Sequence, residues 1–437
     1  MMRHTIFKAI LCLFVLMGGT ACNQETFQPN EEETVAYQPQ LSSVRGEGTV
    51  WLRWGWFTTN LPTNPVRVSP DGFRIFFWEN NTQTKNLLVE VDGQTTTYPV
   101  TQLENGKVYF FEVEALVDQG QSARSNTIVS SPGPEEQYQI AIPGLVDNHS
   151  WGSWHPDGQS VLFVIQPDTT DIFASPGSHM IYQYTWATEQ FSSLVEGTKP
   201  SWSFDGNFLA FETDSLLNKH HADSKTYIQV YQPAIDQIGE SWGGDGYYRE
   251  VAWAPDRYEI AFLGTLENET VASIFTTAPG VTAGVSAPNA IPFTVNALDE
   301  LEDGGDPSPA RLTWENGGKE VVYDRLLKKN DLFVRDIFQL KVDGSREIAL
   351  IASDWNDFGA AFSPDNQRMA FFSDRSGRNE IWLWDRNQAG LKQITGTLAL
   401  GIRTDDSRLA FSPDGKKIMA TQQLTEEVYR LVILDLP

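Results

Sequence analysis

The chain has 437 residues, 41% hydrophobic and 12% aromatic, with 57 Asp and Glu against 32 Lys and Arg, a formal net charge of −25. That length is enough for a sizeable core and more than one domain. The acidic balance argues against a nucleic-acid partner, whose phosphates need a basic surface, and two cysteines are too few for a disulfide-stapled scaffold.

Residues 1–21 are predicted to be a signal peptide. Arg3 and Lys8 flank an apolar run from Ala9 to Met17 that is too short to span a bilayer. Gly19-Thr-Ala-Cys22 resembles a bacterial lipobox, which implies that Cys22 becomes the acylated first residue of a lipoprotein held at the outer membrane; ordinary cleavage is the alternative. Cys12 then leaves with the signal, and the mature chain holds neither a free thiol nor a disulfide. Its 30 basic residues against 57 acidic ones give a net charge of −27. Residues 22–37 are polar and acidic, as suits a tether.

Residues 38–132 carry period-two apolar patterning: Val50, Leu52 and Trp54, then Phe73, Ile75 and Phe77, then Tyr109, Phe111 and Val113. Short strands at this density predict a small β-sandwich. The stretch resembles a fibronectin type III domain, with Val50-Trp-Leu-Arg-Trp54 and Phe73-Arg-Ile-Phe-Phe77 as its second and third strands. Leu103, six residues before Tyr109, is similar to that family's tyrosine corner. No cysteine pair is expected in such a sandwich.

Six copies of one pattern organise residues 137–437: Trp154-His-Pro-Asp-Gly158, Trp202-Ser-Phe-Asp-Gly206, Trp253-Ala-Pro-Asp-Arg257, Trp314-Glu-Asn-Gly-Gly318, Phe362-Ser-Pro-Asp-Asn366 and Phe411-Ser-Pro-Asp-Gly415. The aromatics are 48, 51, 61, 48 and 49 residues apart, a period that means a solenoid or a propeller. Pro-Asp-Gly reverses the chain, and the runs that follow, such as Leu209-Ala-Phe211 and Met369-Ala-Phe371, alternate as strands do. Four strands per repeat make a propeller blade. The stretch from Phe362-Ser-Pro-Asp365 through Ala370-Phe-Phe-Ser-Asp-Arg-Ser-Gly377 to Glu380-Ile-Trp-Leu-Trp-Asp385 resembles the blade of TolB-like proteins, whose fold is a six-bladed β-propeller. The expected fold is therefore all-β, a fibronectin type III-like sandwich followed by that propeller. The last repeat lacks a fourth strand, and residues 137–142 are expected to supply it by pairing with residues 428–434. Truncation through Ser131 is expected to leave the propeller unaffected.

Propeller topology places the Pro-Asp turns at one end of the ring and the sheet-to-sheet connections at the other. His149, His179, His220 and His221 fall at the connection end, either as exposed loop residues or as ligands for a transition metal of the kind that propeller-based uronate lyases use. Asp299-Glu-Leu-Glu-Asp-Gly-Gly-Asp306 reads as a solvated acidic loop, with Ca²⁺ binding as the alternative. Trp154, Trp202, Trp253 and Trp314 recur at one repeat position and read as core. Trp151, Trp242 and Trp355 lie outside it, packed beneath loops or forming a stacking platform.

These features point to a noncatalytic envelope lipoprotein whose propeller binds a protein or glycan, with no required cofactor. TolB-like propellers act in periplasmic protein assemblies, which is what the resemblance implies. The partner surface is expected at Asp147, His149, Lys199, Asp245, Trp355, Asp357, Arg403, Asp405 and Asp406. The alternative is a metal-dependent enzyme, such as a polysaccharide lyase, that uses the histidine-bearing end.

Overall fold

The computed structural model describes residues 38–437 apart from 58–69, 80–83, 118–120, 146–147, 166–178, 215–225, 243–245, 267–271, 280–288, 291–309, 330–331, 388–389, 398–400, 406, 426–427 and 437. Among the described residues the chain is all-β, with no α-helix.

The first eight strands build two facing sheets. One joins Gln38–Gly46, Thr49–Phe57 and Thr97–Thr101. The other sets Gly72–Glu79 between Asn86–Asp92 and Tyr109–Val117, and the far edge of the latter pairs with Gln121–Arg124 and Ile128–Ser130. Alternate residues of a strand share a face, so Val50, Leu52 and Trp54 turn inward to meet Phe73, Ile75, Phe111 and Val113 in one core. Each such side chain contributes about 1.5–3 kcal/mol on full burial. Leu103 packs against this core, and the phenol oxygen of Tyr109 accepts the Glu104 amide at 3.1 Å.

From His149 onward the strands form successive antiparallel sheets, each taken in chain order. The first comprises His149–Trp154, Ser160–Ile165, Met180–Thr185 and Gln190–Glu196; four more repeat this order over residues 198–242, 246–290, 310–351 and 357–393. In the last sheet the first strand is split into Gly401–Ile402 and Ala410–Phe411, and Lys417–Gln423 and Tyr429–Asp435 follow. Its outer strand is Tyr138–Ile140, with Tyr138 opposite Leu434 and Ile140 opposite Val432. The expected closure is therefore present, and Ala141 extends it by donating its amide to Leu431 at 3.0 Å. Innermost strands contact their neighbours in ring order, and His149–Trp154 contacts the last sheet, which is the layout of a β-propeller.

The repeated turns work as their residues predict. Gly158, Gly206, Asn366 and Gly415 each donate to the carbonyl three residues back at 2.8–2.9 Å, with φ of 73, 75, 59 and 72°. Asp157, Asp365 and Asp414 hold the turn by accepting the amides of Gln159, Gln367 and Lys416, so these carboxylates have a structural task. Gly318 makes the same bond to Glu315 without a Pro-Asp pair.

The paired sheets are not a detachable spacer, contrary to the expectation that truncation through Ser131 leaves the propeller unaffected. Phe110 and Val129 pack with Ile351, Phe371 and Trp382 of the fourth and fifth propeller sheets. The amides of Ser43 and Arg45 donate to Ser376 and Gly396 at 2.9 and 2.8 Å, and that of Val129 to Arg375. The Arg45 guanidinium, 7% exposed, donates to the carbonyls of Gln393 and Ile394 at 2.7 Å and of Pro134 at 3.1 Å. Truncation would strip this seam and leave its apolar side open to water.

Candidate functional site

The innermost strands share a device that runs around the ring. In five of them the register slips by one residue, at Ser150/Ser153, Thr198/Ser201, Arg249/Ala252, Ala310/Thr313 and Phe358/Ala361. Each is a β-bulge, which bends the strand and re-aims a side chain. The bulged residue has a left-handed backbone in every case: Trp151 at φ 56°, Lys199 at 51°, Glu250 at 58°, Arg311 at 48° and Gly359 at 67°. Four of these are not glycine, and such strain persists only where the surroundings enforce it.

These residues occupy one column of the repeat, three positions before the recurring aromatic, and Arg408 holds the same place before Phe411. Trp151, Glu250, Arg311, Gly359 and Arg408 line a common cavity of about 30 Å³. That space accommodates about one or two waters and no sugar ring. Ion pairs surround it. Lys199 Nζ lies 2.7 Å from Glu250 Oε1 and 3.3 Å from Glu212 Oε1, and stands over the Trp151 ring at 5.1 Å. Arg408 reaches Glu250 Oε2 at 3.7 Å. Arg311 and Arg335 flank Asp324 at 3.7 and 3.0 Å, and Asp324 also accepts the Gly359 amide at 3.1 Å.

Burial works against the charges of Lys199, Glu212, Glu250 and Asp324, and the partners decide which side wins. For Glu250 burial is outweighed by Lys199 and Arg408, which hold its pKa down to about 2. Burial raises Glu212, which shares Lys199 and is also repelled by Glu250. Lys199 is raised despite its burial because two carboxylates face it. Burial pushes Asp324 up to about 6 against the pull of Arg311 and Arg335. Among the described residues the arrangement is an ion-paired plug around a cavity too small for a substrate.

The residues expected at the connection end fare differently. Cys22, Asp147, Asp245, Asp406, His220, His221 and the stretch 299–306 lie outside the described residues. Asp405 is exposed. Arg403 stacks its guanidinium over Tyr429 at 4.2 Å and donates Nε to the Asp405 carbonyl at 3.0 Å. Lys199 is drawn inward to the plug.

Trp355 does not front an open face, because its indole donates to the Thr127 carbonyl at 3.2 Å and packs with Phe110 at 6.5 Å in the seam. Asp357 is 0% exposed, bound by Arg375 and by Ser353 Oγ at 2.6 Å. Trp151 and Trp242 are buried at 8% and 4%, the packing role.

His149 is not an exposed loop histidine. It opens an innermost strand at 1% exposure, its Nδ1 accepts the Leu431 amide at 3.1 Å, and its ring meets Phe163 edge-on. Burial, followed by Arg430, lowers its pKa to about 4, so it is neutral. Nε2 is buried without a hydrogen-bond partner among the described residues. Among the described residues no group of three His, Cys, Asp or Glu is placed to hold a metal ion. His179 contributes its carbonyl, which accepts the Gly197 amide at 2.7 Å.

No family model matches the chain. A Kelch domain-containing protein of Saccharolobus solfataricus is 35% identical over 95 residues, which is 22% of this chain and 11% of that protein's length. Similar solved structures include TolB from Acinetobacter baumannii, 13% identical with a TM-score of 0.41, covering 83% of this chain and 81% of that one. An oligogalacturonate lyase from Vibrio parahaemolyticus is 11% identical with a TM-score of 0.45, covering 92% and 97%.

Proposed function

We propose that the chain is a noncatalytic lipoprotein of the bacterial cell envelope, anchored to the outer membrane through Cys22. A fibronectin type III-like domain, residues 38–132, is fixed to a six-bladed TolB-like propeller, residues 137–437, whose connection end holds a protein or glycan partner. The split of the leading strands into two facing sheets and the Tyr109 to Glu104 hydrogen bond support the first domain. The repeated sheets and the closing strand support the second.

The observation that carries the functional reading is the ion-paired plug, which leaves only a small cavity among the described residues and turns the reading to the loops of the connection end. Asp147, Asp245, Asp405 and Asp406 give those loops an acidic character, which steers a basic partner surface toward them. Reversing Asp405 and Asp406 to Lys should reduce capture of the envelope partner about tenfold with thermal stability unchanged. Quantitative affinity purification against Asp256→Lys, a reversal at the turn end, checks this; equal losses from both variants would refute the assignment.

A further inference from the structure

At the opposite end, the joint between the first and last propeller sheets contains an open groove of about 400 Å³, a size that suits a small organic ligand. Its wall includes Trp154 packed against Trp186, with centroids 5.2 Å apart and planes tilted by 34°. Trp154 is the exception among the recurring aromatics. Trp202, Trp253, Trp314, Phe362 and Phe411 are all at most 9% exposed, whereas Trp154 is only half-buried.

His155, which follows Trp154, caps Trp202 of the next sheet edge-on at 4.9 Å. The residue in that place before Trp154 is Ser412, whose hydroxyl turns back to Asp414 at 2.6 Å. Trp154 is nonetheless held rigid, because its indole donates to the Ala410 carbonyl at 3.2 Å.

We infer that this groove is a binding site for a neutral oligosaccharide. Both half-buried indoles line the groove, and their open surface offers an apolar wall on which the C–H face of a pyranose packs. They leave no gap between them for a cation, as an aromatic cage would. The rim supplies acceptors from Asp157 and Asp414 and both donors and acceptors from the exposed amides of Gln139 and Gln159. Hydroxyl groups, which donate and accept, match that mixture. The turn hydrogen bonds engage Oδ1 of each aspartate, and Oδ2 stays available to a ligand. Two carboxylates disfavour a uronate or sulfated sugar, and Lys417 on the same rim is paired with Asp435 at 3.2 Å.

The test is a panel of neutral hexose and N-acetylhexosamine oligosaccharides presented to the full chain, followed by calorimetric titration of the strongest binder. Trp186→Ala should weaken that binding about tenfold, Trp186→Tyr should restore part of it, and Asp414→Asn, which keeps the turn bond, should cost severalfold. The melting temperature of each variant should stay within a few degrees of the parent. No binding by any neutral oligosaccharide at about 5 mM, unchanged affinity in Trp186→Ala, or displacement by tetramethylammonium would each overturn the assignment. The groove and the acidic loops lie at opposite ends of the innermost strands, so loss of one activity leaves the other measurable.

Discussion

Replacing Arg45 with Met should lower the unfolding free energy by about 3–5 kcal/mol at pH 8, as expected when one partner of a buried ionic cluster is removed. Arg45 lies among Glu136, 3.9 Å away, and three backbone carbonyls, and Met restores none of these bonds. Glu380 belongs to the same seam, and burial, with repulsion from Glu136, pushes its pKa up to about 7 despite Arg378 and Thr395. The folded state therefore keeps a proton that the unfolded chain releases near pH 4.5. Stability is fully present below that value and falls as pH rises toward 7. The Arg45→Met deficit should accordingly be smaller at pH 5 than at pH 8, and Glu380→Gln should flatten the dependence. Urea denaturation at both pH values decides it; a deficit independent of pH would show that Glu380 is ionised throughout.

Lys199→Met should cost a similar amount, about 3–5 kcal/mol, because it leaves Glu212 and part of Glu250 uncompensated in the ring axis. Glu250 retains Arg408, so the excess charge is that of Glu212. The double variant Lys199→Met with Glu212→Gln should then recover about half or more of the loss. If Lys199→Met unfolds with the parent's midpoint, the plug is open to water.

The repeated strands, their turns and the closing strand were legible because each rests on local chemistry: a Pro-Asp-Gly reversal, an alternating run, a missing fourth strand. The seam was less so. Its one local sign is Phe110, a large apolar residue on the outward side of a strand whose inward residues are Phe111 and Val113, and only the tertiary structure shows that it meets Trp355. At the site, His149 was misjudged because a strand amide and an aromatic neighbour absorb it. The column of Trp151, Lys199, Glu250, Arg311, Gly359 and Arg408 keeps a fixed offset from the aromatics. Its meaning depends on a left-handed bulge that residues other than glycine do not announce.

The central claim is that the connection end, not the turn end, holds the macromolecular partner. Site-specific photocrosslinking in intact cells of the native host tests it most directly, with the photoreactive residue placed at Asp405 in one strain and at Asp256 in the other. A discrete adduct from position 405, absent from position 256, is the predicted result. Adducts from position 256 with none from 405 would contradict the account.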